Sequence, residues 1–449
     1  VLVTAPGSFA ASRFIPEIRV QQSVPISVDE LAARHVESWL AVNPRDPQNL
    51  IAASMVLGQR IGIAIYATFD GGNSWVRASR PSESLSANID PAIAFDADGN
   101  AFLVTSDVAV WKSIDGGRNW GPAIKVPGHG YDRPFIGCDL SKGRFHGRIY
   151  VAAKMPITVF GHPGTSVLAA TSSDGRGFSF HYPHLILPDP QRELLNVPAG
   201  LIVTPEGKLV IVLQTFSLKN IGKVLAEGIY SIIVSEDGGQ SFSEPVKAAK
   251  FHVFGHREEG KSIFANGGGR IAMDRSSGPR HGWMYLTWLD AVRGYYHVMA
   301  SVSSDGGKTW SRPVRVDGNV SATDTTNPAI AVNEEGTVGI SWNDRRNDRT
   351  DRCYQVFFAA SVDGGKSFSK NQIISIDFTC PIGTPPEPGK PLAPDPNLDP
   401  IRSEYRFKNG GDTQGIVGLP DGEFHLAWIN GSSGELQLWS TVVSVLKPK

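Results

Sequence analysis

The sequence predicts an all-β chain folded as a single seven-bladed β-propeller. Three observations carry that reading. An octapeptide template recurs six times, alternating apolar and polar residues precede each copy, and helical periodicity is almost absent, with Asp29–Trp39 the one candidate turn of helix.

The template is Ser/Thr, any, Asp, any, Gly, any, any, then Trp or Phe. It runs from Thr68 to Trp75, Ser113 to Trp120, Ser235 to Phe242, Ser303 to Trp310 and Ser361 to Phe368. A variant lies around Asp174, with Arg176 where Gly is expected and Phe180 one place late. The aspartates are 45 to 68 residues apart. Asp-Gly-Gly calls for positive φ and a carboxylate folded back on nearby backbone amides, so each box is a hairpin turn. The aromatic that follows packs into the sheet. Upstream stand β-branched runs such as Tyr230–Val234. Each box therefore closes the last hairpin of a four-stranded unit, which reads as a propeller blade.

A second pattern opens each unit: a polar residue, often a Pro, an apolar strand and an Asp/Asn-Gly turn, as in Asn88 to Gly99, Asp132 to Gly143, Asn196 to Gly207 and Asn327 to Gly336. Six boxed blades begin near Trp39, Asp90, Asp132, Asn196, Asn266 and Asn327. A seventh, without a box, takes three strands from Asp412–Gly418, Glu423–Trp428 and Leu436–Val443, and its fourth from Pro16–Gln21. Sharing one blade between the two ends removes exposed sheet edges. Six blades with an irregular tail is the competing count. Residues 1–449 read as one domain, with 1–37 as an arm plus closing strand. Residues 376–410 read as a Pro-rich surface loop, with eight prolines within 381–400.

A formal net charge of −1 gives no global field for nucleic acid or an anionic membrane. No apolar run of about eighteen residues predicts a spanning helix. The opening Val1–Ala5 reads either as a mature end after leader removal or as an arbitrary boundary. Sequons at Asn319 and Asn430 suit a secreted, extracellular glycoprotein. Of three cysteines, Cys353 and Cys380 flank a long connection and could pair, and Cys138 lies in an apolar strand pattern as a buried thiol. Their spacing makes no zinc site.

In a propeller the inner strand of each blade starts at the axis on one face, and the loops joining second to third strands reach that face. The boxes lie on the opposite rim and read as structural. Axial starts carry His35, Glu37, Asn88, Asp90, Tyr131, Asp132, Arg133, Asn196, Asn266, Arg270, Asn327, Asp412 and Gln414. The loops carry Asp107, Lys154, His162, Asp290, Arg293, Tyr295, Tyr296, His297, Asp344, Arg345, Arg346 and Arg352. A convergent set rich in Arg, Tyr and His suits an acidic sugar, because Arg grips a carboxylate with two parallel hydrogen bonds. The bland readings are that the asparagines bond neighbouring backbone, that Arg345-Arg346 is a solvated loop, and that Trp288 and Trp342 fill blade interfaces rather than stack on sugars. No organic cofactor is implied; an oxygen-rich Asn/Asp ring could hold Ca²⁺.

The boxes, with Asp132–Ile136 and Ser341–Arg346, resemble the sialidase-like Asp-box (BNR) propeller superfamily over nearly the whole chain. That resemblance implies the fold, and a superfamily of hydrolases, lyases and non-catalytic binders. Sialidases imply six blades, an arginine triad and a Tyr–Glu pair; Arg13-Phe14-Ile15-Pro16 is similar to the Arg-Ile-Pro motif with one extra residue, and Tyr405 stands beside Glu404. In size, blade count and polar face the chain looks more like the seven-bladed secreted polysaccharide lyases of rhamnose–glucuronate type.

Three functions follow as expectations. The first is β-elimination at a uronate, such as the rhamnosyl-glucuronate linkage of gum arabic-type glycans. His35 would be the base and Tyr131 its acid or base partner. Arg133, with Arg293 or Arg345, would hold the carboxylate. Tyr295, His297, Arg346, Trp288 and Asp90 complete the substrate-binding set. The second is a glycoside hydrolase using two of Asp90, Asp132, Asp290 and Asp344. The third is a binding propeller without catalysis. The expected partner is an acidic oligo- or polysaccharide, with neither nucleic acid nor membrane, and a monomer is the default.

Overall fold

The computed structural model describes residues 16–27, 33–57, 61–79, 89–125, 131–159, 162–172, 179–181, 194–217, 225–253, 268–349, 351–375, 377–380 and 409–446. The third box, at 173–178, and the Pro-rich 381–408 lie outside them.

The chain enters on β1 (Glu17–Val20) and β2 (Val24–Pro25), both of which pair with the last strand of the molecule. Seven four-stranded units follow among the described residues. Blade 1 is β3 (Arg34–Asn43), β4 (Asp46–Leu57), β5 (Gly62–Thr68) and β6 (Val76–Arg77). Blade 2 is β7 (Ala92–Phe95), β8 (Ala101–Thr105), β9 (Ala109–Ser113) and β10 (Ile124–Lys125). Blade 3 is β11 (Asp132–Cys138), β12 (Ile149–Val159), β13 (His162–Ser172) and β14 (Ser179–His181). Blade 4 is β15 (Leu194–Val203), β16 (Leu209–Ser217), β17 (Ala226–Ser235) and β18 (Val246–Val253). Blade 5 is β19 (Arg270–Met273), β20 (Met284–Val292), β21 (Tyr295–Ser303) and β22 (Val314–Arg315). Blade 6 is β23 (Thr325–Val332), β24 (Val338–Asp344), β25 (Gln355–Ser361) and β26 (Gln372–Ile373). Blade 7 is β27 (Gly415–Gly418), β28 (Glu423–Asn430), β29 (Gln437–Leu446) and, outermost, β1.

Each blade is an antiparallel meander, so short turns suffice. One parallel bridge, Thr165 with Leu195, joins blades 3 and 4. The apolar core is divided among the seams. Seven clusters of buried side chains each lie between two consecutive blades, and the seventh, with Leu40 and Tyr66 against Leu436 and Leu438, joins blade 7 to blade 1. Seven blades with seven seams make a closed ring, which settles the count against six. Trp111, Trp288, Trp342 and Trp428 are fully buried in these seams. The expected helical turn is not formed where it is described: Arg34–Trp39 belongs to strand β3.

The box turns join third to fourth strands. In the first, Thr68 Oγ1 donates to Asp70 Oδ1 (2.7 Å) and accepts from the Gly72 amide (3.0 Å), while Asp70 accepts from the Ser74 amide (2.9 Å) and hydroxyl (2.6 Å). The same carboxylate cage recurs at Asp115, Asp237, Asp305 and Asp363. These donors overcome the opposing effect of burial and hold the box carboxyls below the usual range, Asp237 at about 2.

Cys353 and Cys380 form a disulfide, and Cys138 is a buried thiol. Both sequon asparagines are buried. Asn319 donates to Thr323 Oγ1 (3.1 Å), and Asn430 accepts from the Ser432 amide (2.8 Å), so neither side chain is presented for glycosylation in the folded chain. Among the described residues no helix is long and apolar enough to cross a membrane.

Candidate functional site

One backbone device recurs where the inner strands begin. Glu37, Asp90, Arg133 and Asn327, in blades 1, 2, 3 and 6, all take φ between 52° and 54°. Gly268 stands at the corresponding place before the inner strand of blade 5, with a φ of 56°. In blades 1, 3 and 6 the ladder skips there, between Val36 and Trp39, Asp132 and Phe135, and Thr326 and Ala329. A non-glycine residue in this region costs on the order of 1 kcal/mol or more, and such residues cluster at functional sites. The strain is spent on bringing polar side chains together at the mouth of the channel.

The clearest link is Arg133 Nη2 to Asp412 Oδ2, 3.2 Å, with 18% and 13% of the side chains exposed. Blades 3 and 7 are not neighbours in a ring of seven, so this ion pair spans the mouth. Glu37, buried, accepts at Oε2 from the Asp412 amide (2.9 Å) and the Thr413 hydroxyl (3.1 Å). Asn327 Nδ2 donates to the Gly411 carbonyl (2.8 Å), and the Gln414 amide returns a bond to the Asn327 carbonyl. Arg270, half-buried, lies 5.4 Å from the Phe135 ring centroid. Its pKa is pulled down to about 10, by burial first and then by the Arg133 cation, with Asp412 and Glu37 acting the other way, so it is charged at neutral pH.

On the blade 2–3 side, Lys154 pairs with Asp132, and Asp90 lines a small pocket with Arg133, Arg270 and Asp412. Burial raises the Asp132 pKa, but Lys154, Asp90 and Arg133 together bring it below the usual range. The Ser106 hydroxyl donates to Asp90 Oδ2 at 3.4 Å. Beside these charged groups lies a cavity of about 120 Å³ whose walls are mostly apolar, Trp39, Phe135, Leu201, Ile271, Ile330 and Ile416, with Arg270 and Gln414. Trp39 packs edge-on to Phe135 (6.0 Å) and donates to the Ile93 carbonyl (3.1 Å).

Of the residues expected to act, the structure brings Arg133 and Asp90 to this mouth. His35 is fully buried, bonded through Nδ1 to Ser54 Oγ (2.8 Å) beside Tyr66, with a pKa lowered by burial to about 4. That position does not admit substrate, and the expectation of a base there is corrected. Tyr131 is likewise buried, in the seam of blades 2 and 3. Trp288 is fully buried between blades 4 and 5 and offers no stacking face.

The expected loop residues are mostly tied down. His297, buried, faces Arg315 (2.8 Å) and Asp317 (3.3 Å). Arg345 is buried and donates to the Asp351 carbonyl (2.7 Å), which overturns the solvated-loop reading for it. Arg346 binds Asp344 (2.5 Å), the Asp317 carbonyl (2.6 Å) and Asn371 (3.0 Å), with its guanidinium 4.5 Å from the centre of the Phe357 ring. Asp290 accepts from the His252 amide (2.7 Å) and ring (3.1 Å), and Trp342 Nε1 donates to Asp344 (2.7 Å). Arg293 is exposed and Tyr295 half-buried, on the hairpin of β20 and β21. Asn196 accepts from Thr215 (2.7 Å), as a strand-start asparagine should. Asn88, Asn266, Arg13, Ile15, Glu404 and Tyr405, with the side chains of Asp107 and His162, lie outside the described residues. Among the described residues no group of three His, Cys, Asp or Glu side chains could hold a metal ion.

Glu37, Arg270 and Asp412 stood among many polar strand starts, and the sequence does not single them out. A usable signal was the proline after Asp90, Arg133 and Asn327, which marks the positive-φ entry in three blades.

No family model and no curated protein matches the chain. Among solved structures it is similar to the Hadza microbial sialidase Hz136 at 16% identity and TM-score 0.44, over 92% of this chain and 66% of that one. It is similar to the α-L-arabinofuranosidase Arb93A of Fusarium graminearum at 10% identity and TM-score 0.47, over 94% and 97%. YCF48 bound to D1 peptide is similar at 12% identity and TM-score 0.45, over 96% and 97%. The chain spans about two thirds of the length of the first of these. The seven-bladed fold rests on the closed set of seams, and the activity has to be argued from the mouth of the channel.

Proposed function

We propose that this chain is an extracellular carbohydrate-active enzyme that hydrolyses a glycosidic bond of an acidic glycan at the channel mouth. The observation that carries the reading is the pocket at the mouth that Asp90 and Asp412 line together with Arg133 and Arg270. Asp90 serves as the acid that protonates the leaving oxygen. A second carboxylate activates water or attacks the sugar, the division of labour glycoside hydrolysis requires. Asp412 is the candidate for that role. Arg133 and Arg270 are two cations at one place, suited to a sugar carboxylate. The Cys353–Cys380 disulfide supports an oxidising, extracellular setting.

Elimination at a uronate is the second reading, favoured by the same arginine pair, since neutralising the carboxylate is its first requirement. With His35 and Tyr131 buried, its base would have to come from the mouth itself. The test is to incubate the protein with acidic glycans, gum arabic included, and follow both reducing ends and the ultraviolet absorbance of a C4–C5 double bond. Reducing ends without absorbance, lost in Asp90→Asn and Arg133→Ala, support hydrolysis. Absorbance that rises establishes elimination. Neither signal, with binding retained, leaves a non-catalytic binding propeller.

A further inference from the structure

A second cavity lies on the opposite rim, where blade 7 meets blade 1. Its volume is about 300 Å³, at the lower end of the range for small-molecule sites. The closing strand shapes it. Val20 pairs with Val443 and Val24 with Ser440, so three residues, Gln21 to Ser23, face two on β29. That one-residue bulge lifts the closing strand over the opening.

Two side chains lining the cavity are built for a ligand that the protein itself does not supply. His425 and Ser440 are each 1% exposed. Among the described residues, neither imidazole nitrogen of His425, nor Ser440 Oγ, has a hydrogen-bond partner. A buried polar group left unpaired costs about 1–3 kcal/mol, so a structure rarely keeps three such atoms together without a purpose. The ring is held in place by Trp75, edge-on at 6.0 Å, and by the first box turn. A Cβ on Gly72 would lie 2.1 Å from His425 Cε1, so only glycine fits there. Burial lowers the His425 pKa to about 4, so at neutral pH the ring is uncharged and offers one donor and one acceptor.

The remaining lining defines the ligand class. Gln22, Gln48 and Asn73 contribute amides, and among the described residues no Lys or Arg lines the cavity, which disfavours an anion. The nearby carboxylates are already engaged: Asp70 in its box, Glu423 with Ser444, and Asp421 with the Glu423 amide. They do not form a free cage for a cation. Paired neutral donors and acceptors, with Leu419 and Pro420 as an apolar wall, match the hydroxyl edge and C–H face of one uncharged sugar ring. We propose that this seam cavity is a binding site for a single neutral sugar unit, held by His425 and Ser440 and separate from the channel mouth.

The experiment is histidine-ring NMR of the full chain during titration with L-arabinose, L-rhamnose and D-galactose, with acetate and ammonium as charged probes. The expected result is a saturable shift of the His425 resonances with at least one sugar and with neither ion. Binding should weaken at least tenfold in Ser440→Ala and in His425→Phe, and be unchanged in Arg133→Ala. If His425→Phe does not fold, Ser440→Ala and Gln48→Ala carry the test. No His425 shift at concentrations up to about 100 times a ~1 mM Kd overturns the proposal, and the cavity then holds water only. A response to acetate or ammonium instead, or sugar binding indifferent to both variants, overturns it equally.

Discussion

Removing one end of the ion pair across the channel should cost more at Asp412 than at Arg133. At 3.2 Å the gross attraction is roughly 5 kcal/mol at an effective dielectric of ~20. Desolvation of two mostly buried groups cancels much of it. Asp412→Asn leaves Arg133 facing Arg270 with less negative charge nearby, and should destabilise by about 3 kcal/mol. Arg133→Met removes one of two neighbouring cations and leaves Asp412 beside Arg270, so it should cost only about 1–2 kcal/mol. The double variant should cost about 2–3 kcal/mol, a coupling near 2. Equilibrium urea unfolding followed by tryptophan fluorescence measures all four proteins. Strict additivity, within about 0.5 kcal/mol, would refute the pairing as an energetic link across the ring.

Further outcomes follow from other parts of the molecule. Asp305→Ala removes the bonds to Ser303 and Thr309 and should cost about 1 kcal/mol in the same assay, with glycan turnover unchanged because that turn is on the far rim. The Asp237 carboxyl, lowered from 3.8 to about 2, contributes stability that is fully present above pH 4 and is lost as pH falls toward 2. Thermal melts across that window should therefore fall less steeply for Asp237→Asn than for the parent protein; parallel curves would be evidence against the cage. Reducing the Cys353–Cys380 bond, which closes a separation of 27 residues, should cost about 3.5 kcal/mol on the chain-entropy estimate. Melts with and without reductant would show it, and an unchanged midpoint would mean that the isolated antiparallel β-bridge between Tyr354 and Thr379 suffices alone.

The architecture was legible because its determinants are local. A box needs only its own eight residues, and alternation names the strands between boxes. Even the sharing of one blade by both chain ends could be counted, since three strands after Asp412 needed a fourth. The mouth was harder to read because period-two counting fails at a bulge. The ladder slips between Val36 and Trp39, so a polar strand start such as His35 turns into the sheet while Glu37 reaches the axis. Arg345, Arg346 and His297 misled for another reason. The partners of Arg345 and His297, the Asp351 carbonyl and Asp317, lie beyond the hairpin turn itself, and Arg346, though clasped by Asp344 two residues back, is also held by Asn371, 25 residues on.

The closing strand also sets how the ring responds to force. Glu17 lies opposite Leu446, and Val20 opposite Val443. The first and last strands thus leave the sheet side by side at one end. A pull on the chain beyond them loads one pair of hydrogen bonds at a time, as a zipper opens, rather than the whole ladder in shear. The pairing that completes blade 7 at equilibrium is, under tension, the place where the ring peels first.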